Sequence, residues 1–273
     1  MSKLKAQMKR GILFIFCLAI ILFAFQVQRD IPVLMYHFVG SEREASEDSL
    51  VVSERTFESH LELFKKWGYE TLSLDEYAAR RSGIKSFGFR KAVLITFDDG
   101  NFSFHDRVFP LLEKYQMKAA NFLVFKSLLN RTEGSMSVDQ AKRLSASPLV
   151  SFGSHTATHK ILKDLSESGY QQEIVDSKMK LEEVLGIPIR YFCYPGGHFD
   201  DRALEMVKKA GYQLAFTTSF KRLKGKSLNN LSIPRIKITE KDRNPLLFWA
   251  KTSGLYSTAQ TLRFRIQNAF NSK

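Results

Sequence analysis

The sequence predicts an α/β fold, a parallel barrel of alternating strands and helices behind an N-terminal membrane segment. Three observations lead there. Eight strand-like stretches interleave with helix-like ones after residue 30, the alternation that builds a parallel sheet covered by helices rather than a sandwich. The chain has 273 residues, and α/β barrels commonly use about 250 as one unit. Before all of this stands an uninterrupted apolar run from Gly11 to Phe25, which Val27 extends past Gln26.

That run of 15 to 17 residues lies between a secretory h-region and a spanning helix in length. Lys3, Lys5, Lys9 and Arg10 precede it without an acid. The positive-inside rule therefore keeps the N-terminus in the cytoplasm and exports everything after Arg29. The exit, Phe23-Ala24-Phe25-Gln26-Val27-Gln28, offers no small-x-small pair, and Cys17 follows Phe16 in mid-run, unlike a lipoprotein cleavage box. An uncleaved anchor over residues 1–29 is expected, with a cleaved signal peptide as the alternative. In both cases the folded part lies outside the cytoplasm.

The elements follow in order. Ile31–Tyr36 is a short apolar strand. Phe57–Trp67 has helical spacing through Phe57, Leu61 and Phe64 and stops at Gly68. Tyr69–Leu74 reads as a strand, and Ser73 with Glu76 forms a capping box that opens a short helix. Ala92–Phe97 is a strand of buried type, Phe104–Tyr115 a helix and Ala119–Phe125 a strand. Ser137 with Gln140 caps a helix that runs to Leu144, and Leu149–Gly153 is a strand. Ser166–Leu185 is a long helix, stopped by Gly186-Ile187-Pro188. Ile189–Tyr194 and Tyr212–Thr217 are strands around the helix Asp201–Ala210, and Ile233–Ile238 is the last strand. The chain thus divides into a tip and anchor (1–29), a barrel (30–240) and a basic helical extension (241–273).

Composition narrows the function classes. Lys and Arg number 41 against 28 acids, a net charge of +13. Residues 1–10 and 240–273 each contribute +4 of it. An excess at the two ends, without a zinc-finger, basic-zipper or RNA-binding signature, excludes nucleic acid and suits an anionic membrane surface. Two cysteines exclude a disulfide scaffold and a Cys-based zinc module. With Cys17 in the apolar run, Cys193 is left as a lone thiol.

Barrel enzymes place their chemistry at the C-terminal ends of strands, and three segments stand there. In Thr96-Phe97-Asp98-Asp99-Gly100, adjacent carboxylates point in different directions, so one can bind a cation while the other stays free. In Ser154-His155-Thr156-Ala157-Thr158-His159, two histidines four apart share a face if the stretch is one helical turn. Two imidazoles and one carboxylate leave an open position for water, the pattern of a catalytic metal site. In Phe192-Cys193-Tyr194-Pro195-Gly196-Gly197, the proline and glycines can aim a backbone N–H into a cleft, as oxyanion stabilisation needs.

Taken together and in this order, the three segments resemble the motifs of the polysaccharide deacetylases of carbohydrate esterase family 4, the NodB-homology domain, over residues 31–238. The resemblance implies a distorted (β/α)7-8 barrel that binds one divalent metal ion and hydrolyses N-acetyl groups of sugar polymers. Zn²⁺ is the first choice of ion, with Co²⁺, Ni²⁺ or Fe²⁺ as alternatives. It implies Asp98 as catalytic base, Asp99, His155 and His159 as metal ligands, and the Gly196 N–H, with Pro195 and Tyr194 beside it, at the substrate and oxyanion position.

Two departures matter. Many members carry an arginine in the third motif to buttress the base, where Cys193 stands in this chain. Arg190 and Arg235 are the candidates for that duty, and Arg235, in the last strand, is favoured. Many members also place the acid histidine in a late motif, yet no histidine follows His198. Pro32-Val33-Leu34-Met35-Tyr36-His37 instead resembles the arrangement of the biofilm poly-N-acetylglucosamine deacetylases, in which that histidine comes first. His37 is therefore the expected general acid and His198 its rival. His60 reads as a packing or surface residue, and His105 as near the site but outside it. Tyr194 and Phe199 either line a sugar cleft or pack in the core.

The expected substrate is an extracellular poly-β-1,6-N-acetylglucosamine-like polymer, with peptidoglycan or chitin oligomers, or O-acetyl xylan-type esters, as alternatives. A polysaccharide synthase or exporter is the candidate protein partner. A non-catalytic glycan-binding subunit is the contrasting class, and the retained Asp98 speaks against it. In the tail, Leu246, Leu247, Phe248 and Trp249, then Leu262, Phe264, Ile266 and Phe270, allow two readings: a helix on the membrane interface or one packed on the barrel exterior.

Overall fold

Residue parity explains most of the architecture. In each barrel strand the side chains alternate between the interior and the layer under the helices, and both faces are apolar because both are buried. The computed structural model describes residues 31–83, 91–218 and 230–260, together with 263 and 266. The membrane segment expected over residues 1–29 lies outside the described residues. Among the described residues no helix is long and apolar enough to cross a membrane.

The parallel strands β1 (Val33–Tyr36), β5 (Ala92–Phe97), β6 (Ala119–Leu123), β7 (Val150–Ser154), β8 (Tyr191–Cys193) and β9 (Leu214–Thr217) pair in that sequence around the sheet. The expected last strand is split by Arg235 into β10 (Ile233–Pro234) and β11 (Ile236–Lys237). Its first half pairs with β9 and its second with β1. One short segment therefore bridges the two edges of the sheet, giving a nearly closed barrel of seven positions. The expected strand Tyr69–Leu74 is cut to β4 (Glu70–Thr71), which pairs only with the start of β5. A separate parallel pair, β2 (Phe38–Gly40) and β3 (Val51–Ser53), flanks the helix Glu42–Glu47. Nothing in the sequence reading anticipated that pair.

Val33, Leu94, Ala120, Phe122, Cys193 and Phe216 fill the interior, whereas Leu34, Tyr36, Ile95, Phe97 and Phe192 face the helices. Gly153 belongs to the interior. A Cβ there would meet the Phe122 ring at 2.5 Å and the Tyr191 carbonyl at 2.8 Å, so its absence makes room for that ring. The expected helices form, with two departures. The helix after β5 opens as a π turn, Phe104–Val108, before Phe109–Tyr115, and the long helix after β7 carries a π segment, Gln171–Asp176.

The helix Glu54–Trp67 lies over β1, with Phe57 edge-on to Tyr36 at 5.5 Å between ring centres. The helix Pro245–Thr252 packs over it in turn through the buried Phe248, which stacks on His60 at 3.8 Å. The extension thus packs on the barrel through one face. His60 is a core residue: the Tyr36 hydroxyl donates to its Nδ1 and its Nε2–H donates to the Asp242 carbonyl. Burial lowers it from 6.5 to about 4, against the pull of Asp242 and Glu240. The unfolded chain takes up this proton below about 6.5 and the folded chain only below about 4, so stability is full above that interval and falls as pH drops through it, by about 3 kcal/mol. Denaturant titrations across the interval should show this slope, and a His60→Gln variant should lose most of it.

Candidate active site at the barrel mouth

Strand parity brings the chemistry together. The alternation that turns Val33 and Met35 inward carries on to His37, as that of Leu94 and Thr96 does to Asp98, and that of Ile233 to Arg235. Asp98 and Arg235 are buried, each 2% exposed. Arg235 Nη1 donates to Asp98 Oδ1 at 2.7 Å and Nη2 to Oδ2 at 2.6 Å, a bidentate pair. The guanidinium also donates to Thr96 Oγ1 at 3.1 Å, contacts Cys193 Sγ at 2.9 Å and lies over the Phe122 ring. His37 Nε2 stands 3.9 Å from Asp98 Oδ2. Burial alone would raise the Asp98 carboxyl, but Arg235, with His155 and His37, outweighs it and holds the group well below the usual carboxylate range. The Cys193 thiol is free and buried, and burial pushes it well up.

Asp99 lies past the end of β5, in a left-handed conformation with φ of +70°. Its Oδ1 lies 3.3 Å from His159 Nε2 and 3.6 Å from His155 Nε2. The Cys193 carbonyl can only accept, so His155 donates to it from Nδ1 at 2.8 Å and turns an Nε2 lone pair toward Asp99. Asp99 Oδ1 is buried and has no hydrogen-bond partner. A tetrahedral ion with bonds of about 2.1 Å holds its ligand atoms about 3.4 Å apart, and the two distances bracket that value. These residues therefore fit a divalent cation. Asp98, His155 and Cys193 also cluster, but Arg235 already neutralises that carboxylate and the thiol stays protonated.

The His155–His159 stretch is not the helical turn expected from its spacing. It is a loop with φ of +72° at Thr156 and +62° at His159, and it brings the two rings to 4.8 Å between centres. In the third motif, Pro195–Gly197 forms a 3₁₀ turn pinned to the end of β9, where Thr218 Oγ1 donates to the Gly196 carbonyl and Thr217 Oγ1 to that of Gly197. Gly196 is exposed, and among the described residues nothing accepts from its N–H.

Residues 88–215 match the family model described as polysaccharide deacetylase. Over these residues the chain carries a polysaccharide deacetylase domain. A Bacillus subtilis protein named for the same family is 33% identical over 188 residues, which cover 69% of this chain and 64% of that protein. The chain thus spans less than two thirds of that relative. A poly-β-1,6-N-acetyl-D-glucosamine N-deacetylase of Staphylococcus epidermidis is 27% identical over 199 residues, 69% of this chain and 68% of the relative. The structure of a Streptococcus pyogenes deacetylase in complex with acetate superposes with a TM-score of 0.73 at 28% identity, covering 81% of this chain and 97% of the other.

Within this deacetylase domain some named residues lie apart from the cluster. Tyr194 points out of the barrel, one step in parity from Cys193. Its ring is buried and stacked on Phe199 at 4.2 Å, and its hydroxyl donates to the Leu231 carbonyl. Its side chain is core, which corrects the placement of Tyr194 at the substrate position. Arg190 pairs with Asp75 on the surface, His198 is exposed, and His105 contacts Asp106 and Gln140.

Glu173 was not anticipated. It is 3% exposed, sits in the π segment and accepts from Thr158 N at 2.8 Å and Thr158 Oγ1 at 2.5 Å. It thereby clamps the loop between the two histidines. No sequence motif marks it, because the pairing is across 15 residues and an exposed glutamate would look the same. Removing such an outer support typically weakens metal binding about 10- to 100-fold. Glu173→Ala should show that loss in a chelator-competition titration of the divalent ion.

Proposed function

We propose that the protein is an exported N-deacetylase that hydrolyses the acetamide groups of an N-acetylglucosamine polymer of the β-1,6-linked type. The observation that carries this reading is the convergence of Asp99, His155 and His159 around an unpartnered carboxylate oxygen, beside an Asp98 held by Arg235. The match of residues 88–215 to the polysaccharide deacetylase model supports the reaction type. The named substrate of the Staphylococcus epidermidis relative supports the polymer, as does a histidine at the end of β1. Acetate in the Streptococcus pyogenes structure matches the expected product.

Asp99, His155 and His159 would hold the divalent ion, which when bound supplies the positive charge that acidifies water and polarises the acetamide carbonyl. Asp98 takes the proton of the attacking water. Arg235 keeps Asp98 ionised and aimed, and lowers its basicity in doing so, so the proton rests on it only briefly. The Gly196 N–H faces the oxyanion that develops on the carbonyl oxygen. His37, protonated, donates to the departing nitrogen, since an amine anion is too basic to leave. Water and the amide thereby become acetate and a free amino sugar. Arg235 acts here through Asp98 and is a positioning residue. Export places the enzyme where a polymer leaves its synthase or exporter.

His37→Ala should keep divalent-ion binding and lose acetate release by about 10²- to 10⁴-fold; near-normal turnover would remove His37 as the acid. Asp98→Asn should also bind the ion and be inactive, and loss of the ion in that variant would exchange the roles of Asp98 and Asp99. Acetate release from N-acetylglucosamine oligomers of β-1,6 and β-1,4 linkage tests the polymer. Preference for the β-1,4 series would move the substrate to peptidoglycan or chitin-type chains.

A further inference from the structure

The helix Pro245–Thr252 is apolar on two faces, and the barrel covers only one. Phe248 is buried against His60, Phe64 and Trp67. Leu246, Leu247 and Trp249 are 76%, 50% and 44% exposed. Beside the start of this helix lies a groove of about 390 Å³ lined by Arg55, Lys66 and Arg243 with Leu63, Glu62 and Pro245. Glu42 lies 3.6 Å from Arg55 and 3.9 Å from Arg243, and Glu62 accepts from the Tyr115 hydroxyl. The cations outnumber the acids that line the groove, and the exposed Lys65 and Lys241 are close in sequence to its lining.

We propose that this helix and its groove dock the barrel on an anionic membrane surface, with Leu246, Leu247 and Trp249 entering the interface and Arg55, Lys66 and Arg243 meeting lipid phosphates. An apolar face rimmed by basic side chains is the chemistry of an interfacial helix. The position of the surface agrees. The helix lies outside Glu54–Trp67, which itself covers β1, and β1 is where the chain enters the barrel. The apolar run that ends at Val27 precedes Val33 by six residues, at most about 20 Å of extended chain. The same sector of the barrel thus carries the exposed apolar helix, the basic groove and the approach from the membrane-type segment. The inference rests on this surface and is independent of the deacetylase chemistry.

The chain has two tryptophans, so Trp67→Phe leaves Trp249 as the reporter. The full chain carrying that change is reconstituted into vesicles of phosphatidylglycerol or phosphatidylcholine whose acyl chains are brominated near the headgroup. Docking predicts a blue-shifted Trp249 emission, most of it quenched in phosphatidylglycerol and less in phosphatidylcholine. Adding Leu246→Glu and Leu247→Glu should abolish the quenching while acetate release from a soluble oligomer is unchanged, and Lys66→Glu with Arg243→Glu should remove the preference for the anionic lipid. Solvent-like, unquenched Trp249 in both vesicles would overturn the proposal. So would protection of Trp249 in lipid-free detergent that rises with protein concentration, which would assign the surface to a second copy.

Discussion

Two parallel hydrogen bonds, 2.7 and 2.6 Å long, join the Arg235 guanidinium to both oxygens of Asp98 inside the barrel. A charge taken out of water is tolerated only when it is paired. Thr96, Cys193 and the face of Phe122 surround this pair, and Phe122 can lie there because Gly153 has no side chain. The Arg235 backbone is tied in as well, its N–H donating to the Thr217 carbonyl where the last segment passes from β9 to β1. Closure of the barrel and the ionisation of its innermost carboxylate therefore depend on one residue. Loss of either partner would leave the other charge buried alone, which typically costs about 3–5 kcal/mol.

From this fixed carboxylate the site builds outward by a change of backbone sign. Asp98 follows the strand's alternation and faces the interior; Asp99 adopts a left-handed φ and faces the two histidines. Adjacent, chemically identical side chains thus enter different electrostatic settings, one beside a guanidinium and one among imidazole nitrogens. The histidine loop also holds two residues at positive φ, a conformation kept only where the surroundings over-determine it. Here they do: Leu123, Ser154, Thr156 and Glu173 all accept from N–H groups of residues 155–159, and the Cys193 carbonyl sets the His155 tautomer. A rigid constellation of this kind suits chemistry that depends on preorganised charge.

The three motifs were legible because each follows an apolar strand, and strand ends are where a barrel gathers its polar groups. Arg235 pairs with Asp98, and Arg190 with Asp75 on the surface. Other details were out of reach. A histidine pair four apart fits a helical turn as well as a strained loop, and spacing does not distinguish them. Tyr194 follows an inward-facing Cys193, so parity turns its ring into the outer layer, which becomes evident only once the register of β8 is known. Tyr69–Leu74 has the composition of a strand, yet only two of its residues pair, because β6 takes over beside β5 from Thr96 onward.

By itself the sequence determined the α/β class and the strand ends that carry the candidate residues, because hydrophobic periodicity and turn chemistry are local properties. The tertiary structure decided that seven positions rather than eight make the barrel, that Arg235 lies at its seam facing Asp98, and that Glu173 supports a loop 15 residues away. Those outcomes depend on which distant backbone atoms come within hydrogen-bonding range, and only packing the whole chain settles that.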